Sequence, residues 1–367
     1  MKKITSTLLA LAVCAGVMAG CAGTPADSTS GAASSPSTAS SGSSSASTAE
    51  TKEPGLYVDG KKVEADPMMT VNGHDVSFDE YRYYFLNILN AIKYQNGGTL
   101  PTDDPELLET QLKGATEENL LSVYAFEELA NEHEISLTED EIQEVDDALA
   151  AVQEQLGGEE GYQAALEQQF FTADVYRHLY LNSMLTEKVI KEVYGDEVRA
   201  DIAQNYVHAQ HILIPFAQET ADSSSASGSE SASAAQPDHS AERTKAEEVL
   251  AKVNAGEDFA ALISEYGEDP GQPEAGYYFT TGQMVQEFED AAFALKEGAV
   301  SGIVETSYGY HIIKRLPLED EYIDTNFMNM VGEASAQKIN NDVGAIIEKL
   351  DVVYGDHYDE VNSETLC

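Results

Sequence analysis

The chain has 367 residues, with 65 Asp and Glu against 20 Lys and Arg and a formal net charge of −45. That length admits two or three domains, and a hydrophobic content of 42% can fill sizeable cores. A surface this acidic repels nucleic acid and anionic lipid, so no nucleic-acid partner is expected; it keeps the protein soluble and favours basic partners.

The N-terminus reads as a targeting segment. Met1-Lys2-Lys3 is basic, and Leu8 to Val17 is an apolar run too short for a bilayer, which needs about 20 residues. Residues 1–20 are therefore expected to be a signal peptide, outside the fold. "VMAGC", Val17 to Cys21, resembles a bacterial lipobox. That resemblance implies cleavage before Cys21, acylation of its thiol, and an extracytoplasmic protein held at the membrane by acyl chains. Cys14, Cys21 and Cys367 form no CxxC and no metal-spaced Cys/His arrangement, so neither a disulfide framework nor a metal site is expected. Residues 21–63, rich in Ser, Ala, Thr and Gly, read as a flexible tether.

Residues 64–205 read as a mainly helical domain. Asn72-Gly73 predicts a hairpin turn. Ser77 with Glu80, and Thr138 with Glu141, have the spacing of capping boxes. The first opens a helix with Phe78, Tyr81, Phe85, Ile88, Leu89 and Ile92 on one side, a stripe read as core. Further helices are expected over "EENLLSVYAFEELANEH", over "IQEVDDALAAVQEQL" as far as Gly157-Gly158, over "GYQAALEQQF", and over "TADVYRHLYLNSMLTEKVIKEVYG".

From Tyr206 the pattern changes. "VHAQHILIPF" predicts a strand, and residues 217–240 are a Ser-rich insertion read as a long surface loop. Two helices broken at Asn254-Ala255-Gly256 follow, then a short strand in "AGYYF", a helix in "GQMVQEFEDAAFAL", and two strands joined by a tight turn in "GIVETSYGYHIIKRL". The order β-α-α-β-α-β-β marks an α/β module over residues 206–317. Residues 318–367 return to helix. The fold class is thus α+β, an α/β module attached to or inserted in a helical domain.

Three polar residues of the module stand in contexts that otherwise read as core: His211 in "AQHILI", Asp269 in "SEYGEDPG" and His311 in "YGYHII". Met284 and Phe288 are at i, i+4 and share a face if that stretch is helical. His208 and His211 make an HxxH, but on a strand they point to opposite faces, which argues against a shared metal.

In their order and spacing, "AQHILI", "FAALISEYGEDPG", "FTTGQMVQEFEDAAFALKEGAVSGIV" and "TSYGYHIIKRL" resemble the parvulin peptidyl-prolyl cis/trans isomerases. The whole arrangement resembles the PrsA- and SurA-type envelope foldases. The resemblance implies an FKBP-like α/β module, with the C-terminal segment packing on the helical N-terminal domain. It implies catalytic roles for His211, Asp269 and His311. It makes Met284 and Phe288 lining residues of a proline pocket, with Phe279 and Gln283 flanking it. No cofactor is implied. The implied substrates are Xaa-Pro bonds in unfolded exported proteins.

The chemistry fits such residues. A prolyl amide must rotate past a barrier of ~18–20 kcal/mol set by C–N resonance, and an enzyme lowers it by binding the twisted amide better than the planar one. An apolar pocket grips the pyrrolidine ring, and paired imidazoles set the polar side of the site through their tautomers. The sequence also departs from the family. "QPEAGYYF" stands where parvulins usually carry "GGDLG", and Tyr308 stands where a Ser is common, with Ser307 beside it. No Arg pair follows the first strand, so phosphoserine recognition is not expected. Two other classes remain: a holdase chaperone with a weak or inactive parvulin module, and a solute-binding lipoprotein, for which the expected repeated βα units are missing.

Overall fold

The computed structural model describes residues 53–101, 104–217 and 238–366. Residues 1–20, Cys21, the tether up to residue 52, most of the Ser-rich insertion and Cys367 lie outside the described residues. The described residues form two compact units. One contains those up to Gly195 and those from Ala336 on; the other is Asp196–Ser335.

The first unit opens with a hairpin, β1 (Leu56–Val58) and β2 (Lys61–Val63), paired Leu56↔Val63. This corrects the tether reading for residues 56–63. Asp59 and Gly60 both take positive φ, which suits a tight hairpin turn. Leu56 is buried and bridges to Leu366. Strands β3 (Met69–Val71) and β4 (His74–Val76) form the second hairpin around Asn72-Gly73, as the turn signal predicted.

Helices α1 (Phe78–Gln95), α2 (Pro105–Glu132), α3 (Glu139–Gln155), α4 (Glu159–Glu167) and α5 (Ala173–Asn205) follow. Tyr81, Phe85 and Leu89 of α1 share a core with Leu112, Leu120 and Tyr124 of α2. Thr138 and Glu141 complete a capping box at α3. At α1 only half of the expected box forms. Ser77 accepts from the Glu80 amide, but the Glu80 carboxylate turns into the protein. Helix α5 continues past Gly195, where a stop was expected, to Asn205. A mid-helix glycine costs only about 1 kcal/mol, and burial of Val198 and Ile202 beyond it outweighs that.

In the second unit, β5 (Tyr206–Pro215) is followed by α6 (Ser240–Asn254), α7 (Phe259–Tyr266), β6 (Tyr277–Thr280), α8 (Gln286–Ala294), β7 (Val300–Glu305) and β8 (Gly309–Leu316). This is the predicted element order. The strands form one antiparallel sheet in the order β6-β5-β8-β7. Because side chains alternate along a strand, β5 serves two cores. Ile212 and Ile214 pack with Ala246, Val249, Phe259 and Leu262 of α6 and α7. Val207 and Ala209 pack with Phe279, Phe288 and Ile313 under α8.

The C-terminal stretch differs from the expected run of helix. Helix α9 (Asp320–Asn326) and a 3₁₀ turn (Phe327–Met330) group with the second unit, where Arg199 pairs with Asp324. Helix α10 (Glu333–Ile347) leads to β9 (Val352–Tyr354). The sequence reading carried helix through those three residues. They instead pair with β3 in the order β4-β3-β9, because β3 presents an unpaired edge on that side. Tyr358, Val361 and Leu366 then complete the first unit's core, and Lys113 Nζ donates to the carbonyls of Tyr358 and Asp359 at 3.1 and 3.2 Å.

Candidate active site

Register brings the two histidines together. His211 lies opposite Ile313 and His311 opposite Leu213, so the imidazoles are diagonal neighbours on one face of the sheet. Both are buried, and their Nδ1 atoms are 2.9 Å apart. Asp269 reaches the pair from the loop after α7. That loop is tied to β5 by two hydrogen bonds: the Glu268 amide donates to the Leu213 carbonyl, and the His211 amide donates to Gln272 Oε1. Asp269 Oδ2 lies 2.8 Å from His211 Nε2. At the other end, His311 Nε2 lies 2.8 Å from Thr306 Oγ1 in the β7–β8 turn.

Protonation states follow from this chain. Burial would raise the Asp269 pKa, but hydrogen bonds from the Gly271 amide, His211 and the Tyr277 hydroxyl outweigh it and hold the carboxyl below its ordinary value. An ionised Asp269 only accepts, so His211 Nε2 carries a proton and donates. Burial lowers the His211 pKa despite Asp269's opposing pull. A neutral His211 therefore offers a bare Nδ1, to which His311 Nδ1–H donates. Burial, and then the charge His211 would carry, push His311 down to about 4. Its bare Nε2 accepts from the Thr306 hydroxyl, which in turn accepts from the Tyr308 amide. One carboxylate thus sets both tautomers.

The apolar side comes from α8 and the loop before it. The Phe288 ring stands edge-on to both imidazoles, with centroids 5.2 Å from His211 and 5.4 Å from His311. Met284 packs with the same cluster and keeps part of its surface free. It does not share a helix with Phe288, as the spacing predicted, because α8 starts at Gln286. The Gly282 amide donates to the buried Glu289 carboxylate and Gln283 Oε1 accepts from the Thr280 amide; these bonds make residues 280–285 a fixed turn.

The sequence-predicted residues thus divide. His211, Asp269, His311 and Phe288 come together, with Met284 in the same cluster. Phe279 is 1% exposed and lies beneath Phe288 as core, with no surface left for a ligand. Gln283 spends its side-chain oxygen on the turn. Two hydroxyls escaped the sequence reading. Tyr277 sits opposite Ala209, on the histidine face, and donates to Asp269 at 2.9 Å. Thr306, rather than the Ser307 singled out beside Tyr308, bonds His311. "QPEAGYYF" held the signal for the first: Gly276 has φ +94, and a Cβ there would meet the Ala209 carbonyl oxygen at 2.7 Å. That close approach seats Tyr277. Among the described residues no group of three His, Cys, Asp or Glu is placed to hold a metal ion, and no helix is long and apolar enough to cross a membrane.

Residues 197–316 match the PPIC-type PPIase domain, and residues 54–190 match the SurA-like N-terminal domain. The chain carries a parvulin-type PPIase domain behind a SurA-like one. It is similar to the foldase protein PrsA of Oceanobacillus iheyensis, 32% identical over 181 residues, which are 47% of this chain and 52% of that protein. It is likewise similar to PrsA of Geobacillus kaustophilus, 33% identical over 187 residues, 50% of this chain and 54% of that one. The chain thus spans about half the length of these curated relatives. A crystal structure of a peptidylprolyl isomerase (PrsA) from Bacillus cereus aligns over 78% of this chain and 91% of that one, at 22% identity and a TM-score of 0.26. The PPIase domain contains the hydrogen-bonded chain from Tyr277 to Thr306, and its helix α8 supplies Phe288.

Proposed function

We propose that the protein is a peptidyl-prolyl cis/trans isomerase and foldase that acts outside the cytoplasm on Xaa-Pro bonds of exported, unfolded polypeptides, anchored to the membrane by acylated Cys21. The observation that carries this reading is the Asp269–His211–His311–Thr306 chain lying against Phe288 inside a PPIase domain. Met284 and Phe288 grip the pyrrolidine ring. Asp269 and the imidazoles form the polar side, where the amide carbonyl swings during rotation. A fixed carboxylate there disfavours negative charge on that oxygen, and so disfavours the planar resonance form in which the charge resides. No bond breaks, and the site needs only to bind the twisted amide better than the planar one.

The substituted stretch "QPEAGYYF" favours a second reading, a holdase in which the domain binds chains but isomerises slowly. One experiment separates them. Exchange of short Xaa-Pro peptides is followed by NMR with protein lacking residues 1–53, beside His311→Ala and Asp269→Ala. Acceleration that drops in both variants supports the isomerase. A folded protein that accelerates no peptide but still suppresses aggregation of a denatured client leaves the holdase.

A further inference from the structure

A second set of ionisable groups lies in the helical unit, away from the histidine pair. Glu80 of α1 is 4% exposed, and its Oε1 has no hydrogen-bond partner. Its Oε2 is reached only at a distance, 3.4 Å from the Tyr124 hydroxyl and 3.5 Å from His178 Nδ1. Glu127 of α2 is held as loosely, at 3.3 Å by both His178 Nε2 and Asn182 Nδ2. Ordinary hydrogen bonds of this type are 2.7–3.2 Å long. A finished buried ion network would satisfy both carboxylates, since an unpaired buried charge is costly.

These groups line a cavity of about 350 Å³, with Asp75 and Asp174 at its exposed rim. Glu80 and Glu127 reach His178, and Asp75 and Asp174 line the same cavity. His178 donates to Glu127 and Glu80, which raises its pKa to about 10, so it is already a cation, and four carboxylates line the cavity against that one positive charge. A second cavity of about 340 Å³ shares His74, Tyr124 and Glu127 with the first. Its wall includes Val71, Ile135, Leu137, Ile142, Leu185 and Leu350. One lobe is acidic; the other is mainly apolar, with Glu128 and Asn131 also on its wall.

We infer that this two-lobed cleft binds a polypeptide segment in which an arginine or lysine neighbours an aliphatic residue, the cation entering between Glu80 and Glu127. The inference rests on the foldase reading of the chain and names a client chemistry for its helical unit. A guanidinium is the better match. It is planar, weakly hydrated and presents forked donors to carboxylates on either side. A divalent metal fits poorly, because His178 ligates only after losing one of the two protons that Glu80 and Glu127 hold on it.

The test uses proline-free peptides, so that the isomerase site is not read. Binding of fluorescein-labelled Ala-Leu-Arg-Leu-Ala to the full-length chain is measured by anisotropy. It is compared with the same peptide carrying citrulline, a neutral isostere of arginine. The expected result is binding that weakens at least about tenfold with citrulline, as loss of charge-assisted hydrogen bonds predicts, and similarly with Glu80→Gln and Glu127→Gln. Asp174→Asn, at the exposed rim, should weaken it less and cannot fail through misfolding. Isomerisation of a short prolyl peptide should be unchanged in all three variants. Equal binding of the arginine and citrulline peptides overturns the cation site while leaving a polypeptide-binding foldase. An arginine preference that survives Glu80→Gln, Glu127→Gln and Asp174→Asn places it elsewhere and also overturns the proposal. Binding of no peptide, with isomerase activity intact, removes both this site and the client-binding role of the helical unit.

Discussion

His211 Nδ1 and His311 Nδ1 face each other at 2.9 Å between two buried rings, and a single proton fits between them. The pair is therefore built for neutral imidazoles. Protonating both would put two N–H groups head to head in a site that already penalises charge. The direction of the shared bond is set by Asp269 at the far nitrogen of His211, not by anything near His311.

Stability should fall in acid because of this pair. The folded pKa of each histidine lies below its unfolded value near 6.5. As pH drops below that value, the unfolded chain takes up protons that the native rings refuse, so native stability declines. The decline from His311 ends below its folded pKa of about 4. Between pH 7 and 4 the wild type should lose on the order of 2 kcal/mol more than His311→Asn. Urea unfolding of both proteins across that range measures the difference, and parallel curves would count against it.

Asp269→Asn keeps the size of the side chain but removes its charge. His211 is then no longer held as the Nε2–H tautomer, and the bond to His311 loses its fixed direction. Isomerisation should slow by about tenfold to a hundredfold, the scale of one charge-assisted hydrogen bond. Imidazole ¹⁵N shifts should show mixed tautomers at both rings. A single tautomer with a normal rate would show that the carboxylate does not position the pair.

Tyr277→Phe tests the hydroxyl that reaches Asp269 from β6. It removes one of the three donors that hold Asp269 ionised, and the ring remains edge-on to His211, at 5.9 Å. The Asp269 pKa should rise. Activity that depends on the carboxylate is present above its pKa and lost below it, so the acid limb of kcat/KM should move to higher pH while the rate at neutral pH changes little. An unmoved acid limb would make the hydroxyl structural only.

Met284 and Phe288 should separate in the opposite sense. Met284 keeps exposed surface, so Met284→Ala should mainly raise KM for prolyl peptides. Phe288 is 3% exposed and packs on Phe279 and both histidines, so Phe288→Ala opens a cavity and should cost about 3–5 kcal/mol of stability. Melting curves beside kinetics read the two effects.

The legible parts of the fold were those written locally. Strand β5 is apolar on both faces and interrupted only by His208, Gln210 and His211, so its place at the centre of a sheet is visible in ten residues. Val352–Tyr354 is not legible in this way. Its partner β3 lies some 280 residues earlier, and nothing nearby distinguishes an edge strand from the end of a helix. The β1–β2 hairpin was obscured by the Ser-rich run before it, although Asp59-Gly60 marks its turn. In the site, the histidines stand out as polar residues in apolar surroundings, whereas Asp269, in "GEDPG", reads as an ordinary turn residue and is singled out only by the family resemblance. Tyr277 and Thr306 look like ordinary strand and turn residues, and only the register of β6 on β5 and the tight β7–β8 turn bring their hydroxyls to the chain of bonds.

That tight turn depends on Gly309. Its φ is +152, and a Cβ there would come within 2.2 Å of the Ile214 carbonyl oxygen and 2.7 Å of Pro215 Cα. Both contacts are backbone, so nothing flexible can yield. Gly309→Ala must separate β8 from β5 where Gly309 meets Pro215, two residues from His311. The same shift disturbs Thr306, whose amide donates to the Gly309 carbonyl at 3.0 Å. Stability should drop by about 1–3 kcal/mol, the scale of forced backbone strain, and isomerisation should fall with it through the loss of the Thr306–His311 bond. Gly302 lies in β7, with no atom within 4 Å of a built Cβ and no positive φ, so Gly302→Ala should change neither quantity. Thermal melts and peptide exchange on both variants check the contrast. If Gly309→Ala melts early but isomerises normally, Thr306 does not support the histidine pair.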